Sequence, residues 1–302
     1  MQATLTRRYT ERALGFIERH QRTPFFLFVA HAMPYKPLAV SEAFYKKSGA
    51  GLYGDGVMEL DWSVGQVLAK LKELDLNEKT LVIFTSDNGA TFGGSKGGLR
   101  GMKCSSYEGG YRVPMIARWP GHIPAGLVSA QPAVMMDLFA TTLKAAHVDA
   151  AEDRLIDGHD IMSLFTGGAE TPHEFIYGLL GSKLATIRDV RLKLHVLKPG
   201  IGQASIFKPG EKYVDPRGPD GVTILAPYEQ AQPSMHPGTQ TGDAPNPMQL
   251  FDLQSDPNEQ HNVTAKHPDI VERLRHAYEK MDAQLRAKPL PTDVRLKPKP
   301  GK

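Results

Sequence analysis

Two adjacent oxygen-bearing side chains stand where a buried strand is predicted to end. The apolar run at residues 81–84 shows no period-two alternation, which is typical of a strand buried on both faces of a parallel sheet. Asp87 and Asn88 follow shortly after it. In open α/β sheets, ligands bind outside the carboxyl ends of the strands. Carboxylate and amide oxygens suit Ca²⁺ or Mg²⁺ rather than a soft metal, so these two residues are candidate metal ligands.

A glycine-rich loop after Asn88 brings positive charge into the same region. Glycines recur from residue 89 to 101, and they let the backbone approach a ligand closely. Arg100 and Lys103 lie at the end of this loop. A plainer interpretation is a turn, because Asn-Gly is a favoured hairpin signal, although no alternating strand resumes within a few residues. The residue types alone leave a metal or anion site and a plain loop both open.

Four short segments, in this order, carry a resemblance to a known family. They are TSDNG at 85–89, LRGMK at 99–103, YEGGYRVP at 107–114 and RWPGH at 118–122. Together they resemble the sulfatase family of the alkaline-phosphatase-like superfamily. Two longer segments, YGDGVMELDWSVGQVL at 53–68 and LFDLQSDPNEQHNV at 250–263, extend the resemblance over nearly the whole chain.

The resemblance implies hydrolysis of sulfate esters, with Ca²⁺ and with a formylglycine made from the cysteine of a Cys-x-Pro-Ser-Arg motif. It assigns Asp87 and Asn88 to the metal and Lys103 to the sulfate, where a fixed ammonium stabilises charge growing on the leaving oxygen. That motif does not occur in the 302 residues, and the single cysteine, Cys104, lies in another context. We therefore expect sulfuric ester hydrolysis from the complete protein and little or no turnover from this chain alone.

Three further residues join Lys103 in the predicted catalytic group. The resemblance puts Tyr35 where sulfatases carry a histidine that contacts the sulfate, and tyrosine is a neutral hydrogen-bond donor at pH 7. His31, four residues earlier, is a candidate to replace that histidine in part, and a structural histidine is the alternative. Arg100 is included because it adds a second positive charge to the loop of Lys103.

Composition and charge narrow the function classes. Apolar residues make up 41% and charged residues 23%, as in globular proteins. The tail at 286–302 contributes +5 to the net charge of +3, so the rest of the chain sums to −2 and has no nucleic-acid footprint. No run is long enough to span a membrane, and one cysteine excludes an internal disulfide. The resemblance implies a sulfated small molecule or glycan as the partner, while oligomeric state and localisation stay open.

The predicted elements place these residues in an α/β fold. Helices at 5–21, 55–74 and 134–147 alternate with apolar runs at 23–30, 81–84 and 113–119. This order predicts part of a mixed, mainly parallel sheet flanked by helices. Asp55, Glu59 and Asp61 on the second helix are predicted to form a solvated surface. We also expect Met1 to be an internal methionine of a longer protein, and the sheet to have an exposed edge.

A change of character near residue 171 predicts a smaller α+β domain with an antiparallel sheet. Alternating apolar residues at 185–196 predict a hairpin with one buried face, and 249–253 predicts a further strand. A C-terminal helix runs from about 267 to 285 by its apolar stripe. The predicted units are 1–170, the later part of a catalytic α/β domain; 171–285, with an irregular insert at 198–247; and a basic, proline-rich tail at 286–302.

Two other function classes stay open on the sequence. A phosphatase or phosphodiesterase of the same superfamily would share the sheet and a metal site, but would need more metal-binding histidines. A degenerate, non-catalytic binding protein would explain the missing nucleophile motif and Tyr35 in place of a histidine.

Overall fold

A computed structural model describes residues 2–35, 37–91, 94–153, 155–168, 170–200, 214–215, 223–224 and 242–287. The α-helices are α1 Leu5–Arg19, α2 Gly51–Glu73, α3 Glu108–Tyr111, α4 Asp137–Ala145, α5 Met162–Phe165 and α6 Pro268–Ala287. The strands are β1 Val82–Thr85, β2 Met115–Arg118, β3 Ile176–Leu180, β4 Lys183–Arg188, β5 Leu192–His195, β6 Val214–Asp215, β7 Thr223–Ile224 and β8 Gln249–Asp252. Short 3-10 turns lie at Gln2–Thr4, Asn77–Lys79 and Thr264–Lys266.

The first two helices pack against each other through a mixed apolar and polar contact. Ile17 of α1 and Leu71 of α2 are both buried, as their positions on the apolar stripes predict. Thr10 and Ser63 join the helices through a hydrogen bond of 2.6 Å between their hydroxyl oxygens. His31 lies beside this contact between the two helices.

The prediction that the three α2 carboxylates are solvated is wrong for two of them. Asp55 and Glu59 are buried, and only Asp61 is exposed. The Asp55 carboxylate accepts the backbone N–H groups of residues 46, 47 and 48 at 2.8, 3.1 and 2.8 Å. Glu59 accepts the N–H of Ser41 at 3.0 Å. Because buried carboxylates need such donors, these residues serve to anchor the preceding loop.

The segment at 23–30 is extended but is not a strand, which corrects the prediction. Phe25 packs edge-on against Phe16 of α1, with ring centroids 5.9 Å apart. Phe26 and Phe28, on the opposite face, are 74% and 78% exposed. An apolar run forms a strand only where a neighbouring strand pairs with it, and none pairs with 23–30 in the described part of the chain.

Strand β1 forms where the apolar run predicts it, but with a different partner geometry. It pairs antiparallel with β2, from Val82 opposite Arg118 to Thr85 opposite Met115. Every strand pair among the described residues is antiparallel, so the predicted parallel pairing does not appear there. One face of the β1–β2 pair is open to water, since Phe84 and Ile116 are both exposed.

The C-terminal part is an antiparallel sheet in the order β3-β4-β5-β8, with α6 packed against it. Register pairs such as Ile187 with Leu194 confirm the predicted hairpin. Leu274 and Tyr278 of α6 are buried against this sheet, as the apolar stripe predicts. The hairpin has two buried faces rather than one, because all four residues of β5 are buried.

The α/β fold class is thus confirmed, with helices packed on sheets and an antiparallel sheet in the C-terminal part. The division near residue 170 stays a prediction. Most of the predicted insert at 198–247 and most of the tail at 286–302 lie outside the described residues.

Candidate functional site

The candidate site begins where β1 ends. Asp87 is exposed, and its Oδ1 accepts a hydrogen bond from the Ser86 hydroxyl at 3.4 Å. Asn88 is half-buried, and its Nδ2 donates to the carbonyl of Gly89 at 3.1 Å. Asp87 therefore lies at the protein surface just after β1, and Asn88 follows it in a half-buried position.

Gly89 locks the start of the loop onto α3. Its N–H donates to the carbonyl of Gly110 at 2.9 Å. A Cβ added at Gly89 would lie 2.1 Å from the carbonyl oxygen of Gly109, so a glycine is required by close backbone approach. The Lys103 N–H donates to the Ala90 carbonyl at 3.0 Å, which brings the backbone of Lys103 next to the start of the same loop. The backbone of Lys103 thus lies beside the segment that directly follows Asp87 and Asn88.

Lys103 and Tyr35 are brought together from segments far apart in sequence. The Lys103 ammonium lies 4.9 Å from the centroid of the Tyr35 ring, a cation–π distance. Tyr35 is 66% exposed and Lys103 is half-buried. The pair offers a positive charge and an aromatic hydroxyl to a ligand approaching from solvent.

His31, four residues before Tyr35 in the sequence, is half-buried. Its Nε2 lies 3.3 Å from the Ser63 hydroxyl, and its ring meets that of Tyr9 edge-on at 5.8 Å. Burial lowers the pKa of His31, so the neutral imidazole is favoured. These contacts support the structural alternative for His31; its predicted sulfate role stays a prediction.

Arg100 faces the C-terminal part of the molecule. It is 1% exposed, and its Nη1 and Nη2 donate to the carbonyls of Glu259 and Asp243, each at 2.7 Å. Its guanidinium carbon lies 4.4 Å from the centroid of the Tyr107 ring. Burial and these contacts indicate a structural role for Arg100 in holding the loop; its predicted part in the catalytic group stays a prediction.

The structure also contains a buried cluster of charged side chains, which the sequence analysis did not predict. We call it the Glu259 cluster; its members are Glu108, Lys193, His195 and Glu259. Lys193 Nζ lies 2.8 Å from a Glu108 oxygen and 3.0 Å from a Glu259 oxygen, while His195 Nε2 lies 2.6 Å from Glu259. Arg112 and Arg188 complete the surroundings of Glu108 at 2.6 and 3.1 Å.

The charge states of the Glu259 cluster follow from burial and pairing. Burial alone would lower the pKa of Lys193, but Glu108 and Glu259 raise it. Burial alone would raise the pKa of both carboxyls, but Lys193 lowers it in each case. Burial lowers the pKa of His195. At neutral pH the cluster is therefore two carboxylates, one ammonium and one neutral imidazole, with Arg112 and Arg188 at its edge.

One signal in the sequence could have found the cluster. Glu108 and Glu259 both lie inside segments that carry the family resemblance, YEGGYRVP and LFDLQSDPNEQHNV. Lys193 and His195 alternate with leucines in β5, a pattern that ordinarily puts the polar side chains in water. Because β5 is buried on both faces, Lys193 and His195 do not face water as the alternation indicates.

Two negative observations apply to the described part of the chain. No group of three or more His, Cys, Asp or Glu side chains within it is arranged to hold a metal ion. Among the same residues, no helix combines the length and apolar character needed to cross a bilayer.

Comparison with known proteins decides the family. A sequence model of the Sulfatase family matches residues 2–148. Steryl-sulfatase of Mus musculus is 35% identical over 98% of this chain, and the match covers 46% of that protein. N-acetylgalactosamine-6-sulfatase of Canis lupus familiaris is 44% identical over 64% of this chain and 38% of its own length. This chain belongs to the sulfatase family.

Two solved structures share the fold of this chain. A structure described under the metabolism of multiple glycosaminoglycans by Bacteroides thetaiotaomicron matches with a TM-score of 0.70 at 27% identity, covering 94% of this chain and 55% of its own. The PsFucS1 sulfatase from Pseudoalteromonas sp. matches in fold with a TM-score of 0.73 at 22% identity, covering 95% and 54%. This sulfatase-family chain spans about half the length of the curated relatives it matches.

Proposed function

We propose that this chain supplies sulfate-binding and calcium-binding residues to an enzyme that hydrolyses sulfate esters of small molecules or glycans. The supporting observation is the pair of backbone bonds, Gly89 to Gly110 and Lys103 to Ala90, that keeps the Lys103 backbone beside the loop of Asp87 and Asn88. A sulfate ester is an anion whose leaving oxygen gains negative charge. A fixed ammonium next to hard oxygen ligands is the arrangement that such chemistry needs.

Asp87 and Asn88 fit part of a calcium shell by the chemistry of their donors. Ca²⁺ takes six to eight oxygen ligands, among them carboxylates and amide carbonyls. Asp87 presents an exposed carboxylate, and the Asn88 amide nitrogen is already engaged by the Gly89 carbonyl. In this proposal the two residues hold Ca²⁺ together with oxygen ligands from outside this pair, and the ion supplies positive charge beside the bound sulfate.

Lys103 and Tyr35 act on the sulfate group itself in this proposal. The Lys103 ammonium pairs with a sulfate oxygen, and the Tyr35 hydroxyl donates a hydrogen bond to the same anion. In this role Tyr35 orients the sulfate through its hydroxyl hydrogen bond.

Formylglycine does not fit the residues of this chain. The single cysteine, Cys104, is exposed and lies between Lys103 and Ser105, with no Pro-Ser-Arg after it. We therefore derive no step through that group, and we expect little or no turnover of an aryl sulfate by this chain alone.

Isothermal calorimetry with sodium sulfate tests the anion site. We expect Lys103→Met to abolish sulfate binding, and Lys72→Met, at an exposed lysine of α2, to leave it unchanged. Equal binding by wild type and Lys103→Met would contradict the assignment. A steroid sulfate and a 6-sulfated N-acetylgalactosamine, suggested by the names of the relatives, then compare the two substrate classes by the same titration.

A calcium titration tests the metal pair in the same way. Asp87→Ala should weaken Ca²⁺ binding, because a carboxylate ligand is lost. Asp61→Ala removes an equally charged, exposed side chain from α2 and serves as the control. Loss of affinity in both variants would indicate a general charge effect and would refute a specific ligand role for Asp87.

A further inference from the structure

We propose that Glu259 is a positioning residue for Lys103: it holds both ends of the loop at 100–108 and so fixes where the Lys103 ammonium lies. The inference deepens the proposed function, on which its meaning for sulfate rests. Glu259 belongs to the C-terminal part of the chain, 156 residues after Lys103 in sequence. It acts on the site only through Arg100 and Glu108, so it is not a catalytic residue.

The two ends of this loop meet at Glu259. At one end, Arg100 Nη1 donates to the Glu259 carbonyl at 2.7 Å. At the other end, the Glu108 N–H donates to the Glu259 carboxylate at 2.6 Å. The Gly109 N–H closes the loop by donating to the Arg100 carbonyl at 2.8 Å. One residue thus clamps both stems of a short loop that has Lys103 near its middle.

Inside the clamp, the loop has little freedom of its own to misplace Lys103. The Ser105 hydroxyl donates to the Met102 carbonyl at 2.8 Å and the Ser105 N–H to the same carbonyl at 2.9 Å. The Lys103 N–H is tied to Ala90 at 3.0 Å. Because these bonds make the loop a stiff unit, a shift of its stems moves the Lys103 ammonium with them.

Glu259 is itself held in an unusual conformation. Its φ is +52°, in the left-handed region that residues other than glycine rarely adopt. Its side chain is fully buried and accepts from His195 Nε2 at 2.6 Å and Lys193 Nζ at 3.0 Å. A residue held in this region by several surrounding contacts is a feature often found at functional sites. Here the contacts over-determine the place of the carboxylate.

The charge of Glu259 matters because Lys193 is shared. Lys193 is buried between Glu259 and Glu108, and Glu108 in turn pairs with Arg112 and Arg188. Removing the Glu259 charge leaves buried Lys193 with one carboxylate partner, which favours rearrangement toward Glu108. Since Glu108 is a stem of the loop, that rearrangement is transmitted to Lys103.

The test is Glu259→Gln in the full chain, read out at the Lys103 side chain. Lysine labelled with ¹³C at Cε reports the Tyr35 ring above it through a ring-current shift, which Tyr35→Leu assigns. We expect Glu259→Gln to lose this shift and to weaken sulfate binding by about tenfold, the lower end of what loss of an outer-shell partner costs. Leu274→Ala, buried in the C-terminal core, is the control for lost stability and should keep the shift.

A second variant serves if Glu259→Gln does not fold. His195→Gln exchanges one neutral side chain for another and removes the imidazole that donates to Glu259 and also pairs with the Ser106 hydroxyl, and it should reduce the same shift. A folded Glu259→Gln or His195→Gln with an unchanged shift overturns the proposal, as does loss of the shift in Leu274→Ala as well. Wild type that shows the shift but binds no sulfate refutes the proposed function and leaves the positioning role standing.

Discussion

Replacing Gly89 by alanine should disrupt the candidate site, because the added methyl group has no room. A Cβ built at Gly89 lies 2.1 Å from the Gly109 carbonyl oxygen and 2.8 Å from the carbonyl carbons of Gly109 and Gly110. Side-chain carbons essentially never come closer than 3.0 Å to such atoms, so the backbone of α3 must move by about 0.9 Å. No flexible side chain is available to yield, because all three atoms are backbone.

The size of the effect follows from two contributions. Overpacking in a tight interior costs about 1 to 3 kcal/mol. The displacement also breaks the bond from the Gly89 N–H to the Gly110 carbonyl, which contributes about 1 kcal/mol. We therefore expect Gly89→Ala to lower the free energy of unfolding by about 2 to 4 kcal/mol.

Urea unfolding of Gly89→Ala and Gly65→Ala measures this difference directly. Gly65 lies inside α2, and a Cβ built there meets nothing within 4 Å. Its replacement should stabilise the protein by up to about 1 kcal/mol, because alanine is the better helix former. The opposite signs separate close backbone approach from a general effect of added methyl groups. Equal stability of Gly89→Ala and wild type would refute the reasoning.

Three further variants test other parts of the structure. Arg191 holds the pKa of Asp252 down at about 2, so Asp252 stabilises the fold above pH 4 and this contribution is lost as the pH falls toward 2. Asp252→Asn should remove about 1 kcal/mol of pH dependence over that range in acid titration, less than the full pKa shift because Arg191 is exposed. Burial keeps the pKa of His31 below 6.5, so stability should fall as the pH drops below 6.5, and His31→Gln should flatten that slope; an unchanged slope would exclude His31 as its source. Leu274→Ala should cost about 2 to 5 kcal/mol in urea unfolding, since Leu274 is fully buried, and a loss below that range would mean that the core refills the space.

Local patterns predicted the elements well where local physics decides. The apolar run ahead of Asp87 becomes β1, and the hairpin around Asp189 forms with Ile187 opposite Leu194. The stripe that ends in α6 is buried at Leu274. In these cases the type and position of the element followed from the local pattern, while the number of buried faces did not: β1 has one face open to water, and β5 is buried on both faces.

The errors occur where a partner outside the segment decides its structure. Residues 23–30 have a strand's composition, but pairing is a property of the neighbouring strand, and Phe26 and Phe28 face water instead. Asp55 looks solvated on its helix, but a turn nine to seven residues earlier supplies three N–H donors to it. In both cases the missing information lies outside the segment itself.

The candidate site divides along the same line. The sequence motifs picked out Asp87, Asn88 and Lys103, and a backbone bond joins Lys103 to Ala90, two residues after Asn88. The motifs could not show that Arg100 turns toward Glu259, because that bond joins residues 159 positions apart. The motifs also could not show that Lys193 and His195 of β5 are buried, since alternation alone does not tell whether the second face of a strand is covered.

The clamp at Glu259 has a consequence for the order in which the protein takes shape. The bonds from Arg100 and Glu108 to Glu259 span 159 and 151 residues of chain. Contacts so far apart in sequence form late, since the loop closure they require must be met first. During synthesis, the loop that carries Lys103 leaves the ribosome well before Glu259 is made. Its bonds to Glu259 therefore cannot form until the intervening chain has been synthesised. Truncations that end before residue 259 should therefore leave α1 and α2 able to pack. In such a molecule the loop at 100–108 should not reach its folded conformation.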